Sequence, residues 1–211
     1  MSIYFKYIIY LIAVLSVFPV SAGVYEDFFT AVNRDDSDTV TKLLAQGFDL
    51  SARSPEGQTA LHLALRDQSP RVAAALWLHR GLDIDALNAT GETPLMMAAL
   101  RGDLNWSQRL IERGAKIHKD GWSPLHYAAT GPEPRIVALL LDKGAPIDAL
   151  SASLSSPLMM AVSYGSEANV DLLLARGADR QLRNDRGHDA ATLAERAGRE
   201  FLVRRLSVPG R

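Results

Sequence analysis

Asp120-Gly-Trp-Ser-Pro-Leu-His-Tyr-Ala-Ala129 decides how this 211-residue chain folds. A glycine turn runs into Ser123-Pro124. A serine hydroxyl suits the start of a helix, where backbone N–H groups lack partners, and proline sits where a helix needs no N–H. Leu125, Ala128 and Ala129 give this short helix a small apolar face. The pattern has copies: Gly57-Gln-Thr-Ala-Leu-His62 and Gly91-Glu-Thr-Pro-Leu-Met96 upstream, Ser155-Ser-Pro-Leu-Met159 downstream, and a worn version at Arg186-Gly-His-Asp-Ala-Ala191. The cap positions Thr59, Thr93, Ser123, Ser156 and Asp189 are 34, 30, 33 and 33 residues apart. A period near 33 marks a stack of repeats and outranks any local secondary-structure signal.

Each copy is followed by a second apolar helix pattern and a glycine stop. Val72, Ala73, Ala75, Leu76 and Leu78 precede Gly81; Trp106, Leu110 and Ile111 precede Gly114; Ile136, Val137 and Leu139 to Leu141 precede Gly144; Val170 and Leu172 to Leu174 precede Gly177. Glycine in a left-handed conformation ends helices at low cost. Thr59 to Gly81 spans 22 residues where the other units span 21, and the Asp67-Gln-Ser-Pro70 turn is the expected place for the extra residue. Gly114 to Gly121 is short at 7 residues, which predicts a truncated loop with both helices kept. Phe28, Phe29 and Val32, then Val40, Leu43 and Leu44, read as a degenerate first unit, its second helix capped by Ser37 or Asp38.

Helix pair, glycine stop, then Ala-x-Ile/Val-Asx into a projecting turn: this resembles the ankyrin repeat. Thr-Pro-Leu (93–95), Ser-Pro-Leu-His (123–126), Leu-Leu-x-x-Gly-Ala (140–145) and Leu-Leu-x-x-Gly-Ala-Asp (173–179) carry the resemblance. It implies an all-α ankyrin-repeat solenoid with projecting β-turn loops. The expected division is a cap at 24–53, units at 54–88, 89–119, 120–151 and 152–184, a cap at 185–206 and a disordered tail at 207–211. Departures are Ala60 for the motif proline, Met96 and Met159 for the motif histidine, Leu154 for a turn glycine and Leu82 for alanine. They bear on turn geometry, not on the repeat. One helix pair leaves both flat faces apolar, so each neighbour buries a face of the next.

The first 22 residues stand apart. Lys6 is the only charge before Glu26, Tyr7 to Phe18 is apolar, and Pro19-Val-Ser-Ala22 ends in small residues. These are the three parts of a secretory signal peptide cleaved after Ala22. The competing reading is an uncleaved inner-membrane anchor over residues 7–25, nearly long enough to span. Removing 1–22 leaves 22 basic against 24 acidic residues, a net charge of −2 that gives no electrostatic footprint for nucleic acid. No cysteine is present, which excludes disulfides, thiolate metal sites and a lipidated cysteine. A hydrophobic content of 47% suffices for a continuous core. The expected address is a bacterial periplasm, with secretion as the alternative, and the expected state is a monomer.

Catalytic and cofactor patterns are absent from the sequence. There is no Gly-x-Ser-x-Gly, no phosphate loop and no H-E-x-x-H. Asp35-Asp36 and the Asp83/Asp85 pair read as solvated loop carboxylates. His62 and His126 fill the motif position, where the resemblance implies a ring bonded to backbone groups of the adjoining turn. Met96-Met97 and Met159-Met160 are expected to split between core and inner surface. Trp77 and Trp106 fall on second helices and are expected in the core. The chain therefore reads as non-enzymatic, without metal or cofactor, and built to bind a protein partner.

The resemblance also implies where contacts lie: after the turn glycine, after the histidine position, and just before the next turn. Carried over, the first set is Gln58, Glu92 and Trp122, with Ser155 aligned. The second is Leu63, Met97, Tyr127 and Met160. The third is Arg66, Leu100, Arg101, Thr130 and Tyr164. Exposed aromatics and arginine anchor interfaces, and Trp122, Tyr127 and Tyr164 are expected along one side. Packing on a neighbouring turn is an equal alternative for Trp122.

Overall fold

The computed structural model describes residues 22–207. The expected leader lies outside the described residues except for Ala22, which opens the first helix. The expected tail lies outside them except for Ser207, which ends the last helix rather than starting a tail. Among the described residues, no helix is long and apolar enough to cross a membrane.

Twelve helices form six pairs among the described residues: α1 (Ala22–Asn33) and α2 (Ser37–Ala45), α3 (Ala60–Arg66) and α4 (Pro70–Trp77), α5 (Pro94–Arg101) and α6 (Leu104–Glu112), α7 (Pro124–Thr130) and α8 (Pro134–Asp142), α9 (Pro157–Tyr164) and α10 (Glu167–Ala175), α11 (Ala190–Arg196) and α12 (Glu200–Ser207). The odd-numbered helices pack in succession as an inner row. The even-numbered helices form an outer row. There is no strand among the described residues, only an isolated antiparallel bridge between Arg53 and Thr59.

Short polar side chains start the helices. Thr93, Ser156 and Asp189 accept from Met96, Met159 and Thr192 N–H at 3.4, 3.3 and 2.9 Å. Ser123 spends its hydroxyl on His126 Nδ1 at 2.8 Å instead. In the first unit the cap of α2 is Asp36, not Ser37 or Asp38: its carboxylate accepts from Thr39 N–H at 3.1 Å. A bond from the Thr39 hydroxyl at 2.7 Å, together with that N–H, holds its pKa below the ordinary aspartate value. Neighbouring Asp35 accepts Val72 N–H at 2.8 Å and so caps α4 of the next unit. Asp85 accepts Lys116 N–H at 2.9 Å across another unit boundary. These carboxylates staple the fold, where the sequence suggested only solvated loops.

The extra residue of the second unit is not in the 67–70 turn. Helix α4 starts 11 residues after Thr59, and α6, α8 and α10 start 11 after their own caps. The slack lies after α4. Gly47, Gly114, Gly144 and Gly177 all take φ between 89° and 95°, while Gly81 takes no positive φ. The start of α4 is fixed because Val72, Ala73 and Leu76 must be buried; the exposed end absorbs the insertion. Leu78, read with the apolar pattern of this helix, falls just past its end and is 83% exposed. Trp77 is half-buried against Trp106, edge-on at 5.3 Å, with the Arg113 guanidinium 4.5 Å from its ring centre.

Turn geometry tolerates a departure that looked disruptive. Leu154 takes φ +56°, close to the +73° to +76° of Gly57, Gly91, Gly121 and Gly187 at equivalent positions. A leucine in that conformation costs about 1 kcal/mol. The turn is kept because Ser151 and Leu154 make the same backbone bonds as their counterparts: Ser151 N–H to Ser155 O at 3.0 Å, and Leu154 N–H to Ser151 O at 2.9 Å.

Candidate functional site

The turns that border the inner face are tied to it through the motif histidines. His62 Nε2 donates to Glu92 O at 2.9 Å, and His126 Nε2 donates to Ser155 O at 2.9 Å, each in the turn of the next unit. A carbonyl only accepts, so the proton is on Nε2. Nδ1 of His126 accepts from Ser123 N–H at 3.2 Å. With Nδ1 an acceptor the His126 ring is neutral, and burial lowers the pKa of both rings. Where Met96 replaces histidine, the equivalent carbonyl of Trp122 is met by Lys119 Nζ at 3.3 Å instead.

The residues expected to make contacts divide into three groups. Met97 is 3% exposed, as is Leu63, so neither presents a surface. Met96 and Met97 are both core, contrary to the expected split. They sit mid-stack with inner helices on both sides, and nothing is left for Met97 to face but protein. Met159 and Met160 do divide, buried and half-buried.

The second group is on the surface but already engaged. Gln58 accepts from Asn88 Nδ2 at 3.0 Å. Arg66 clamps Asp67 through two 2.8 Å bonds, and Arg101 donates to Arg66 O. Glu92 takes Asn88 Nδ2 at 2.6 Å, Thr90 Oγ1 at 2.8 Å and the Tyr127 hydroxyl. Burial pushes the Glu92 pKa up, but these three bonds outweigh it and the net shift is down. Burial and the Glu92 carboxylate push the Tyr127 pKa above the ordinary tyrosine range.

The third group is open. Trp122, Met160 and Tyr164 line a cavity of about 520 Å³ on the inner face between the fourth unit, the fifth and the cap. Tyr164 is 71% exposed. Trp122 is half-buried, its ring edge-on to His126 at 5.3 Å and to Tyr127 at 6.4 Å, so it packs on neighbours and lines the cavity at once. Trp122 and Tyr127 thus touch, but only Trp122 joins Tyr164 in the cavity.

The far wall was missed from the sequence: His188, Leu193 and Arg196 of the last unit, with Asn184 and Arg186 of its turn. All five lie at or beside the stretch 185–206 that reads as a cap. The signal was present, because the rule applied to the earlier units gives His188 after Gly187, Leu193 four residues past Asp189 and Arg196 seven past it.

Two clasps, one buried and one half-buried, hold this end. Asn169 Nδ2 donates to Ala128 O, Ala129 O and Gly131 O at 3.2, 2.9 and 2.8 Å, at the end of α7 where helix carbonyls run out of intrahelical donors. Arg199 does the same for α9, reaching Ala161 O, Val162 O and Gly165 O at 3.1, 2.9 and 3.0 Å. Gly165 lets the chain pass closely, since a Cβ there would stand 2.1 Å from Ala129 O. Among the described residues, no three His, Asp or Glu side chains gather as a metal site.

Stacked helix pairs in an inner and an outer row define a helical repeat solenoid, a class whose use lies in its extended flank. The family description "Ankyrin repeats (3 copies)" matches residues 28–119, 67–151 and 101–184, and the chain belongs to the ankyrin repeat family. Ankyrin repeats serve protein–protein interaction.

Among curated relatives, the chain is 36% identical over 154 residues to the B-cell lymphoma 3 protein homolog of Mus musculus, covering 70% of this chain and 34% of that one. It is 31% identical over 159 residues to SH3 and multiple ankyrin repeat domains protein 2 of Homo sapiens, covering 73% and 8%. The chain thus spans about a third or less of the curated relatives it matches.

A chain of the solved complex of the Bd0816 predatory endopeptidase from Bdellovibrio bacteriovorus with immunity protein Bd3460 is similar in fold. The TM-score is 0.71 at 24% identity, over 86% of this chain and 96% of that one.

Proposed function

We propose that this protein is a non-enzymatic module that holds a protein partner in the periplasm, through the inner face of its C-terminal half. One observation carries the reading: the open cavity that gathers Trp122, Met160 and Tyr164 at the contact positions of the repeat. Aromatic side chains there bring large contact area at small entropy cost. The cleavable leader read in residues 1–22 and the lack of cysteine support the address. Capture from periplasmic extract with the mature protein, compared with Tyr164→Ala and Met160→Ala variants, tests the surface. A partner retained equally by both variants would refute it.

A second reading keeps the scaffold and moves the partner: a secreted effector or toxin-neutralising protein acting outside the cell. The fold likeness to a chain from an endopeptidase–immunity protein complex favours giving it a test. Cell fractionation separates the two. Mature protein in the medium and not in the periplasmic extract would favour the second.

A further inference from the structure

The charges around the cavity are unevenly satisfied. Among the described residues, the guanidinium groups of Arg186 and Arg196 have no hydrogen bond or ion pair, and neither do the His188 ring nitrogens or the Tyr164 hydroxyl. The only acid in the lining is Asp185. Three other arginines of this end are occupied: Arg183 lies 3.0 Å from Asp189, Arg205 pairs with Asp171, and Arg199 is spent on helix-end carbonyls. The cavity is therefore a basic rim beside an apolar wall of Trp122, Met160 and Leu193. Its volume falls in the range, roughly 300–1,000 Å³, of sites that enclose a small ligand.

We infer that this cavity receives an acidic side chain on an extended segment of the partner protein, with an adjacent apolar side chain against Trp122 and Met160. A guanidinium matches a carboxylate in two parallel bonds. Here the arginines meet it without first leaving another partner. The apolar wall favours a protein segment over a free ion, because a bare anion leaves that wall wet. The assignment rests on the inner-face reading above and adds the chemistry of what binds there.

Three libraries of capped decapeptides test it, with Glu, Gln or Lys fixed at the centre and the flanks randomised, incubated with the immobilised mature protein. The Glu library is expected to be retained about tenfold more than the Gln library at low salt, with the advantage shrinking as salt rises. The Arg186→Gln/Arg196→Gln variant, changed only at exposed positions, is expected to erase that advantage without altering thermal unfolding. Equal retention of Glu and Gln libraries, preference for Lys, or a Glu preference that survives in the double variant would overturn the assignment. A Tyr164→Ala/Met160→Ala variant separates the two readings. If it loses all libraries while no Glu preference was seen, the inner face stands and the acidic partner falls. If it retains every library unchanged, the inner face falls as well.

Discussion

The inner face of the second and third units and that of the fifth unit and the cap are built on one register and end in opposite states. In the first, Gln58, Arg66, Glu92 and Arg101 are bonded within the protein, and Tyr127 reaches back from the fourth unit to close the group. In the second, Tyr164, His188, Arg186 and Arg196 face a cavity with their polar ends free. A partner approaching the first region must break bonds before it makes any, so the exchange yields little. A partner approaching the second region only displaces water. Equivalent positions in a repeat are therefore not equivalent binding sites.

The clasps sharpen that contrast, because both lie at the open end. Replacing Asn169 by alanine leaves three helix-end carbonyls without their buried donor and is expected to lower stability by about 2–3 kcal/mol in chemical denaturation. Its Oδ1, itself without a partner, limits the loss. A change under about 0.5 kcal/mol would show that the open end is not held by this residue.

Next in size is a pair of tyrosines. Tyr164→Ala is expected to weaken partner binding by about 2 kcal/mol with unchanged stability, as for an exposed anchor. Tyr127→Phe is expected to do the reverse, losing about 1 kcal/mol of stability with its bond to Glu92 and little binding. Titration calorimetry beside thermal melts reads both, and swapped outcomes would invert the comparison of the two regions. Leu154→Gly is expected to raise stability by roughly 0.5–1 kcal/mol by relieving the left-handed leucine.

The smallest effect is shared by both regions. His62 and His126 have lowered pKa values because burial penalises the charged ring. The unfolded chain then binds protons more readily, so their contribution is complete above the ordinary histidine value of 6.5 and is lost as pH falls from there. Met96 and Met159 stand at the same position and do not titrate. His62→Met/His126→Met should therefore flatten the stability profile between pH 7 and 5, and an unchanged slope would place the sensitivity elsewhere.

Much of the fold was legible because its signals are local and recur. Thr93, Ser156 and Asp189 begin equivalent helices where their spacing puts them. The histidine rings reach the next turn as the resemblance implied. The misreadings share another cause. The count from Thr59 to Gly81 reveals one surplus residue but not its place, because proline and glycine mark both ends of α4. Met97 reads as a contact residue until its neighbours close over it. Arg196 reads only as part of a terminal cap until the fifth unit is set beside it.

Sequence alone determined the period, the helix pairs, the caps of the repeated inner helices and the family, since each follows from backbone chemistry within about 30 residues of chain. Only the tertiary structure decided which contact positions remain free. That depends on whether a side chain meets a partner from a unit 30 or more residues away, as Tyr127 meets Glu92 and Arg196 meets none. Such pairing is a property of side-chain reach across the stack, which no repeat pattern encodes.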